Sequence, residues 1–537
     1  MVGMLVSTRP SWAGDPGGTK TGLASDAVGM VPGSPTQDDL KAAAREEPYA
    51  AKLTESIGQN RVAINFVWLL FAGFLVMFMQ AGFSLVETGF CRAKNAAHVM
   101  MTNFMIYPIG MIGFWICGFA LMFGAVGGVA SLGGLAPLTG TEIGIPIGGG
   151  KTLDLFALKG FFLNGDCYDV GVFAFFLFQM VFMDTACTIP TGAMAERWRF
   201  SAFIAYGFFM SMFLYPLFGN WAWGGGWLAD LGTNFGLGHG YVDFAGSGVV
   251  HAVGGFCGLA GAIVLGPRIG KYDRQKRPQP IPGHNIPMAL LGTFILAFGW
   301  FGFNPGSTLA ASGGGALRIG IVATVTMLAS ASGALAAMVY WWKTAGKPDP
   351  SMCANGMLAG LVAITAPSGF VNGWAAFIIG AVAGLLVCVA VRFFEHAGVD
   401  DPVGAISVHG VCGVWGLLSV GLFADGTYGD PWNGVSGPVR GLLYGDASQL
   451  AAQVIGAVAV FAWAFGASYV FFRVQKAVMG IRSRREDELA GLDIPEMGTL
   501  AYPYSHISNL PVGTPVPADG TASPQPRPTG LPAPETT

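Results

Sequence analysis

Charge is what this sequence lacks. Only 11% of its 537 residues are Asp, Glu, Lys or Arg, whereas a soluble domain carries about 25%. A water-soluble globule of this size is excluded on that ground. The formal net charge of -3 leaves no cationic excess for a phosphate backbone, so nucleic acid is excluded as a partner. The eight cysteines show neither a paired framework nor metal-ligand spacing. Cys117, Cys187, Cys257, Cys388 and Cys412 lie in apolar runs and read as small packing residues. Cys167 alone falls in a polar loop, so no structural disulfide is expected. Nor does the N-terminus carry a charged stretch, an apolar run and a small-residue cleavage site, which leaves no ordinary signal peptide.

What the sequence has instead is long apolar runs and 82 glycines, the composition of closely packed membrane helices. A span needs about 20 apolar residues. Eleven are expected, at about 62–90, 97–124, 168–194, 200–222, 243–267, 285–305, 314–341, 353–366, 371–395, 403–423 and 448–479, the eighth being short. The fold class is thus an all-α polytopic membrane protein. Residues 1–60 form an N-terminal segment, disordered to about 38 and with an interfacial helix expected over Asp39–Asn60. Residues 61–480 form the membrane domain, and 481–537 a tail whose Pro- and Thr-rich end, 503–537, reads as disordered. Between the spans, 125–167 reads as a polar excursion and 268–284 as a basic connection.

Alternate loops carry seventeen Lys and Arg against four. The positive-inside rule makes the richer set cytoplasmic, with the N-terminus outside and the C-terminus inside. Five helices plus five, followed by one more, make the second group an inverted copy of the first. A sequence repeat marks both copies: Asp243-Phe-Ala-Gly-Ser-Gly-Val-Val-His251-Ala-Val-Gly-Gly255 and Asp401-Pro-Val-Gly-Ala-Ile-Ser-Val-His409-Gly-Val-Cys-Gly413. Both read D-x7-H-x3-G. Ionisable groups at membrane depth are costly and point to function, and matched positions in inverted repeats meet near the midplane. Two unrelated core histidines are the plainer alternative. Two histidines without a third ligand make a poor metal site, so no metal or cofactor is expected.

Several strings, in order, resemble the ammonium transporter (Amt/Mep/Rh) family, on its Amt branch: AERWRFSAF from Ala195, WAWGGGWL over 221–228, DFAGSGVVH from Asp243, GWFGFNPGS over 299–307 and VHGVCGVWG over 408–416. The resemblance covers roughly residues 60–500. It implies a homotrimer in the cytoplasmic membrane, with eleven helices and one pore per subunit, taking up ammonium and methylammonium without being an enzyme. It implies an outer cation site at Trp223, Ser307, Phe182 and Asp243, although alone Trp223 reads as an interfacial anchor and Ser307 as bonded to its own backbone. It implies a gate of stacked rings, Phe182 and Phe303, and twin pore histidines, His251 and His409. Asp243 is expected to organise backbone around the outer site, and Asp401 to be an N-cap at the cytoplasmic start of its helix. A tail matching at Gly491, Asp493 and Gly498 implies coupling of pore state between subunits, and a PII-type protein blocks some relatives from the cytoplasmic face. Asp184 and Glu87 depart from the family pattern; they are expected either to pair with hydroxyls such as Thr185 or Thr188 or to stay protonated by desolvation, and their depth alone suggests a role in proton handling. The competing readings are an ammonium sensor acting through a separate partner, and a passive ammonia channel.

Overall fold

A computed structural model describes residues 36–502 apart from 128, 314 and 315. The expectations for the two ends of the chain fall largely outside those residues. Ten helices are long and apolar enough to cross a membrane among the described residues. They are α1 (Pro48–Phe90), α2 (Ala93–Phe123), α3 (Val170–Met194), α4 (Phe200–Trp223), α5 (Ser247–Leu265), α6 (Ile286–Thr308), α7 (Ala316–Ala345), α9 (Gly373–His396), α10 (Ile406–Phe423) and α11 (Ala447–Val478). The shorter apolar helix α8 (Pro350–Thr365) completes eleven. Polar caps start many of them. Asp169, Asn285, Asp349, Asn372 and Asp446 each accept a backbone N–H from the first turn of the helix that follows. Such caps satisfy donors that an apolar surrounding would leave unpaired.

One expectation needs correction. Residues 39–60 are not one interfacial helix. A short helix, Gln37–Glu46, is capped by Thr36, and α1 then runs unbroken for 43 residues from Pro48. Pro48 sits in the first turn, where its missing N–H costs nothing, and no proline follows before Phe90. At 1.5 Å per residue α1 is about 65 Å long, so it projects well beyond a hydrocarbon layer. The membrane bundle is all-α, as expected, and among the described residues only a loop forms strands. The 125–167 excursion holds a hairpin of β1 (Glu142–Gly148) and β2 (Lys151–Ala157). Its turn residues Gly149 and Gly150 have φ of +64° and +76°, the left-handed pair that a two-residue hairpin turn requires.

Packing follows the repeat. α1 lies along α6, α3 packs on α5, and α8 packs on α10. The α1–α6 contact is reciprocal: a Cβ on Gly82 would lie 3.0 Å from the Gly292 carbonyl, and one on Gly292 would lie 2.6 Å from the Gly82 carbonyl. Small residues here let two backbones approach. The hairpin packs at one end of the bundle, where Trp221 Nε1 donates to the Leu155 carbonyl at 3.0 Å. The tail helices α12 (Arg485–Ala490) and α13 (Asp493–Met497) cover the other end.

Candidate functional site

α5 and α10 begin in the same way, from opposite ends. Asp243 accepts backbone N–H bonds from Gly246, Ser247, Gly248 and Val249 at 2.8 to 3.0 Å. Asp401 accepts from Val403, Gly404 and Ile406 at 3.3, 3.0 and 2.7 Å. The glycine three residues after each Asp is left-handed, at φ +111° for Gly246 and +82° for Gly404. The first turn of each helix is then a wide π turn, Ser247–Ala252 and Ile406–Val411, and each carries its histidine. Wide turns displace a residue from the helical register and recur at functional sites. The spacing D-x7-H is thus a cap, a left-handed glycine and a wide turn, used twice, and the two aspartates act on the backbone in the same manner.

The glycine four residues after each histidine permits the crossing. A Cβ on Gly255 would lie 2.2 Å from Gly410 N, and one on Gly413 would lie 2.5 Å from the Ser247 carbonyl. With backbones this close, His251 Nδ1 and His409 Nδ1 face each other at 3.1 Å. One nitrogen must donate and the other accept, so the two tautomers are linked. The rings lie 5.2 Å apart at 23°, with Trp300 against His251 at 5.3 Å and Phe83 against His409 at 6.0 Å. His251 Nε2 has no hydrogen-bond partner among the described residues.

From the histidines toward the hairpin end come Phe303, 5.4 Å from the His251 ring, and Phe182, stacked on Phe303 at 4.2 Å and 28°. Both rings are buried. Beyond them opens a vestibule of about 180 Å³ lined by Phe182, Trp223, Asp243, Ser307, Trp432 and Asn433 among others. Trp223 stands edge-on to Phe182 at 6.3 Å, and its Nε1 donates to the Asp243 carbonyl at 2.7 Å. The Asp243 carboxylate is consumed by the amides it caps. Ser307 Oγ donates to the Phe303 carbonyl at 2.8 Å, which leaves its lone pairs free to accept. Toward the tail end, His409 forms one wall of a small void of about 20 Å³, with Phe83, Glu87, Leu296, Asn355 and Val403 on the others.

Some lining residues escape sequence reasoning. Trp300 lies within GWFGFNPGS and was visible there. Trp432 and Asn433 come from a loop with no spacing signal and reach the vestibule only through the tertiary fold. A hydroxyl does bond Glu87, but neither of the two threonines named does so, and neither bonds Asp184. Thr185 Oγ1 donates to the Val181 carbonyl, and Thr188 Oγ1 donates to Asn103 Oδ1. Glu87 is held by Thr191 and Asn103 instead. Asp184 is buried, and its Oδ1 has no hydrogen-bond partner among the described residues.

At the tail end, AERWRFSAF builds a charged floor. Glu196, at φ +70°, pairs with Arg92 and lies 3.5 Å from Arg268 Nη1. Asp400 takes a bidentate pair of bonds from Arg268 at 2.9 Å each. Burial alone would raise both carboxyls. For Asp400, the Arg197 and Arg268 charges outweigh it and hold the group well below the usual carboxylate range. For Glu196, Arg268 and Arg92 outweigh burial and lower the group. The tail docks on this floor. Gly491, at φ +115°, passes so close to Lys94 that a Cβ would lie 2.4 Å from its carbonyl. Asp493 Oδ1 accepts from His98 N at 3.0 Å, and Glu496 Oε2 from Phe200 N at 2.8 Å. Gly498, at φ +71°, ends α13 with open space around it.

A helical bundle with a vestibule at one end and a small void toward the other, separated by stacked rings and a buried polar pair, is that of a membrane transport protein. The particular family follows from comparison with known proteins. A sequence model of the Ammonium Transporter Family matches residues 67–502. Ammonium transporter Amt2 of Archaeoglobus fulgidus is 46% identical over 86% of this chain and 93% of its own length. Ammonium transporter 1 member 3 of Solanum lycopersicum is 35% identical over 86% and 96%. Among solved structures, one described as a sensor Amt protein is 37% identical, with a TM-score of 0.69 over 81% of this chain and 98% of that one. Mep2 of Candida albicans is 28% identical, with a TM-score of 0.67 over 82% and 90%. This chain belongs to the Ammonium Transporter Family and transports ammonium across a membrane.

Proposed function

We propose that the vestibule at the hairpin end recruits ammonium, which is deprotonated there, and that ammonia then crosses the passage while its proton is relayed separately. The observation that carries this reading is the 3.1 Å His251–His409 contact, buried behind the Phe182–Phe303 stack. An intact ion does not enter so apolar a passage cheaply. Neutral ammonia does, and the linked imidazoles offer it a hydrogen-bond acceptor and offer the proton a path. At the mouth, the Trp223 face attracts a desolvated cation by about 2 kcal/mol. Ser307 Oγ accepts one of the hydrogen bonds that ammonium donates and potassium does not. Asp243 holds the Trp223 indole and the α5 backbone in place and is no direct ligand. Phe182 and Phe303 admit the dehydrated substrate by ring rotation.

The orientation belongs to the same proposal: the hairpin end faces outward, and the tail end, where the arginine-rich floor lies, faces the cytoplasm, so transport is uptake across the cell membrane. So does a homotrimer, for which the exposed apolar side chains of α1 and α6, such as Phe71, Phe74, Leu291 and Phe294, supply surface. Residues 481–502 act as the regulatory segment of each subunit, with Gly491, Asp493 and Gly498 shaping its path. A PII-type protein would approach from that same face.

The test is current in proteoliposomes on a solid support, for wild type, His251→Ala and His409→Ala. Loss of selectivity against potassium in the variants is expected. Intact selectivity with intact current would remove the role given to the pair. A sensing role is the second reading, favoured by the likeness to a protein described as a sensor. Retained ammonium binding without saturable methylammonium uptake would select it.

A further inference from the structure

Glu87 stands three residues before the end of α1, buried, on the wall of the void that also touches His409. Other carboxylates at this end are committed. Asp401 is held by backbone amides, Asp400 by Arg268, Glu196 by Arg92 and Arg268, and Glu488 by Arg482. Glu87 has no Lys, Arg or His within ion-pair distance among the described residues. A buried carboxylate without a cation is costly, so its complement must come from elsewhere. The void beside it, about 20 Å³, has room for about one molecule the size of water or ammonia.

The groups around Glu87 serve both of its protonation states. Thr191 Oγ1 lies 2.9 Å from each carboxyl oxygen and 2.5 Å from the Thr188 carbonyl. A hydroxyl has one proton and two lone pairs. Facing a carboxylate, Thr191 donates to it; facing a carboxylic acid, it accepts and donates to the Thr188 carbonyl. Neither state requires a heavy atom to move. Asn103 Nδ2 donates to Glu87 Oε2 at 2.6 Å, and its orientation is set because Oδ1 accepts from Thr188 Oγ1 at 2.9 Å. Thr188 Oγ1 accepts in turn from Gln80 Nε2 at 2.9 Å. The chain of bonds begins in α1, crosses α2 and α3, and ends at one carboxyl facing the passage.

We propose that Glu87 is the proton-exchanging site at the tail-side mouth of the passage, where ammonia becomes ammonium again. The Glu87 carboxylic acid gives its proton to ammonia that has passed His409, leaving a carboxylate and an ammonium ion in contact. The ion departs, and the carboxylate takes up the proton relayed from the recruiting end. The titratable groups facing this site are Asp401 on the α10 side and the neutral His409 across the void. This rests on the separated-proton reading above.

The test uses the full chain in proteoliposomes, with ammonium chloride as the probe. Glu87→Gln keeps the size and loses the exchangeable proton. It is expected to lower the ammonium current by about tenfold or more, with thermal midpoint and potassium exclusion unchanged. Glu87→Asp is expected to recover current with a displaced pH profile, which a merely structural carboxyl would not produce. Wild-type current and profile in Glu87→Gln would overturn the assignment. If Glu87→Gln fails to fold, Thr191→Val decides: a displaced pH profile supports the site, and an unchanged one overturns it. Loss in the Glu87 variants with unaffected histidine variants would sink the twin-histidine reading and leave this site standing; the reverse pattern would sink only this one.

Discussion

At the scale of single residues, the smallest side chains do most to build the site. His251 and His409 meet because nothing stands between their helices at Gly255 and Gly413. Gly255→Ala would put a Cβ 2.2 Å from Gly410 N, a contact that only a backbone shift relieves. Its expected cost is about 1–3 kcal/mol, the range for overpacking a filled core. It should be read as a lowered thermal midpoint in detergent, with parallel loss of ammonium current. Gly466, on α11, has nothing within 4 Å of its added Cβ. Gly466→Ala is expected to be neutral or stabilising, by up to about 1 kcal/mol. If the two variants behave alike, close packing is not what Gly255 provides.

At the scale of elements, the hairpin β1–β2 is joined to α4 by a bond that titrates. Glu142 accepts from Asn220 Nδ2 at 3.2 and 3.3 Å. Burial, outweighing that bond, pushes its carboxyl up from the ordinary 4.5 to about 7. A raised value means that the docked state favours the protonated acid. The stabilisation is therefore full below pH about 4.5 and is lost as pH rises through about 7. Hydrogen exchange across 142–157, corrected for the intrinsic rate, is expected to show protection falling over that window. Glu142→Gln should keep the protection at pH 8. Equal pH dependence in both proteins would show that Glu142 does not hold the hairpin. β2 still has other ties, including Trp221 to the Leu155 carbonyl, so the loss is partial.

At the scale of the whole molecule, the tail joins loops that are far apart in the chain. Lys94 Nζ donates to the carbonyls of Glu488 and Leu489 at 2.7 and 2.6 Å, Leu492 N to Asn95 Oδ1 at 2.9 Å, and Ile269 N to Glu488 Oε1 at 2.7 Å. The start of α2, the start of α4 through Phe200 and Glu496, and the α5–α6 connection thus all bear on the tail segment 488–496. Gly491→Ala meets both a left-handed φ and the Lys94 carbonyl. It is expected to release the segment, so that limited proteolysis cuts within 485–502 several-fold faster while the membrane helices stay intact. An unchanged cutting rate would show that the close pass at Lys94 is not what holds the tail.

The sequence by itself determined the number of spans, the repeat and the family, because a bilayer makes hydrophobic length a direct reading of topology and because the matching strings are long and ordered. It located Asp243, His251, Asp401 and His409 and read both aspartates as backbone caps, yet it did not tell that each cap opens a wide turn. Capping a wide turn depends on backbone geometry that spacing alone leaves open. It expected a hydroxyl at Glu87 but not Thr191, because which hydroxyl meets a buried carboxyl is set by how α1, α2 and α3 rotate against one another. It also started the first helix too late, at about 62 rather than at Pro48, since nothing in residues 48–61 breaks a helix and polarity alone suggested a boundary. Only the tertiary structure brought His251 to 3.1 Å from His409. The physical reason is that this contact depends on two glycines lying against facing backbones, and a missing side chain shows its purpose only when its neighbour is in place.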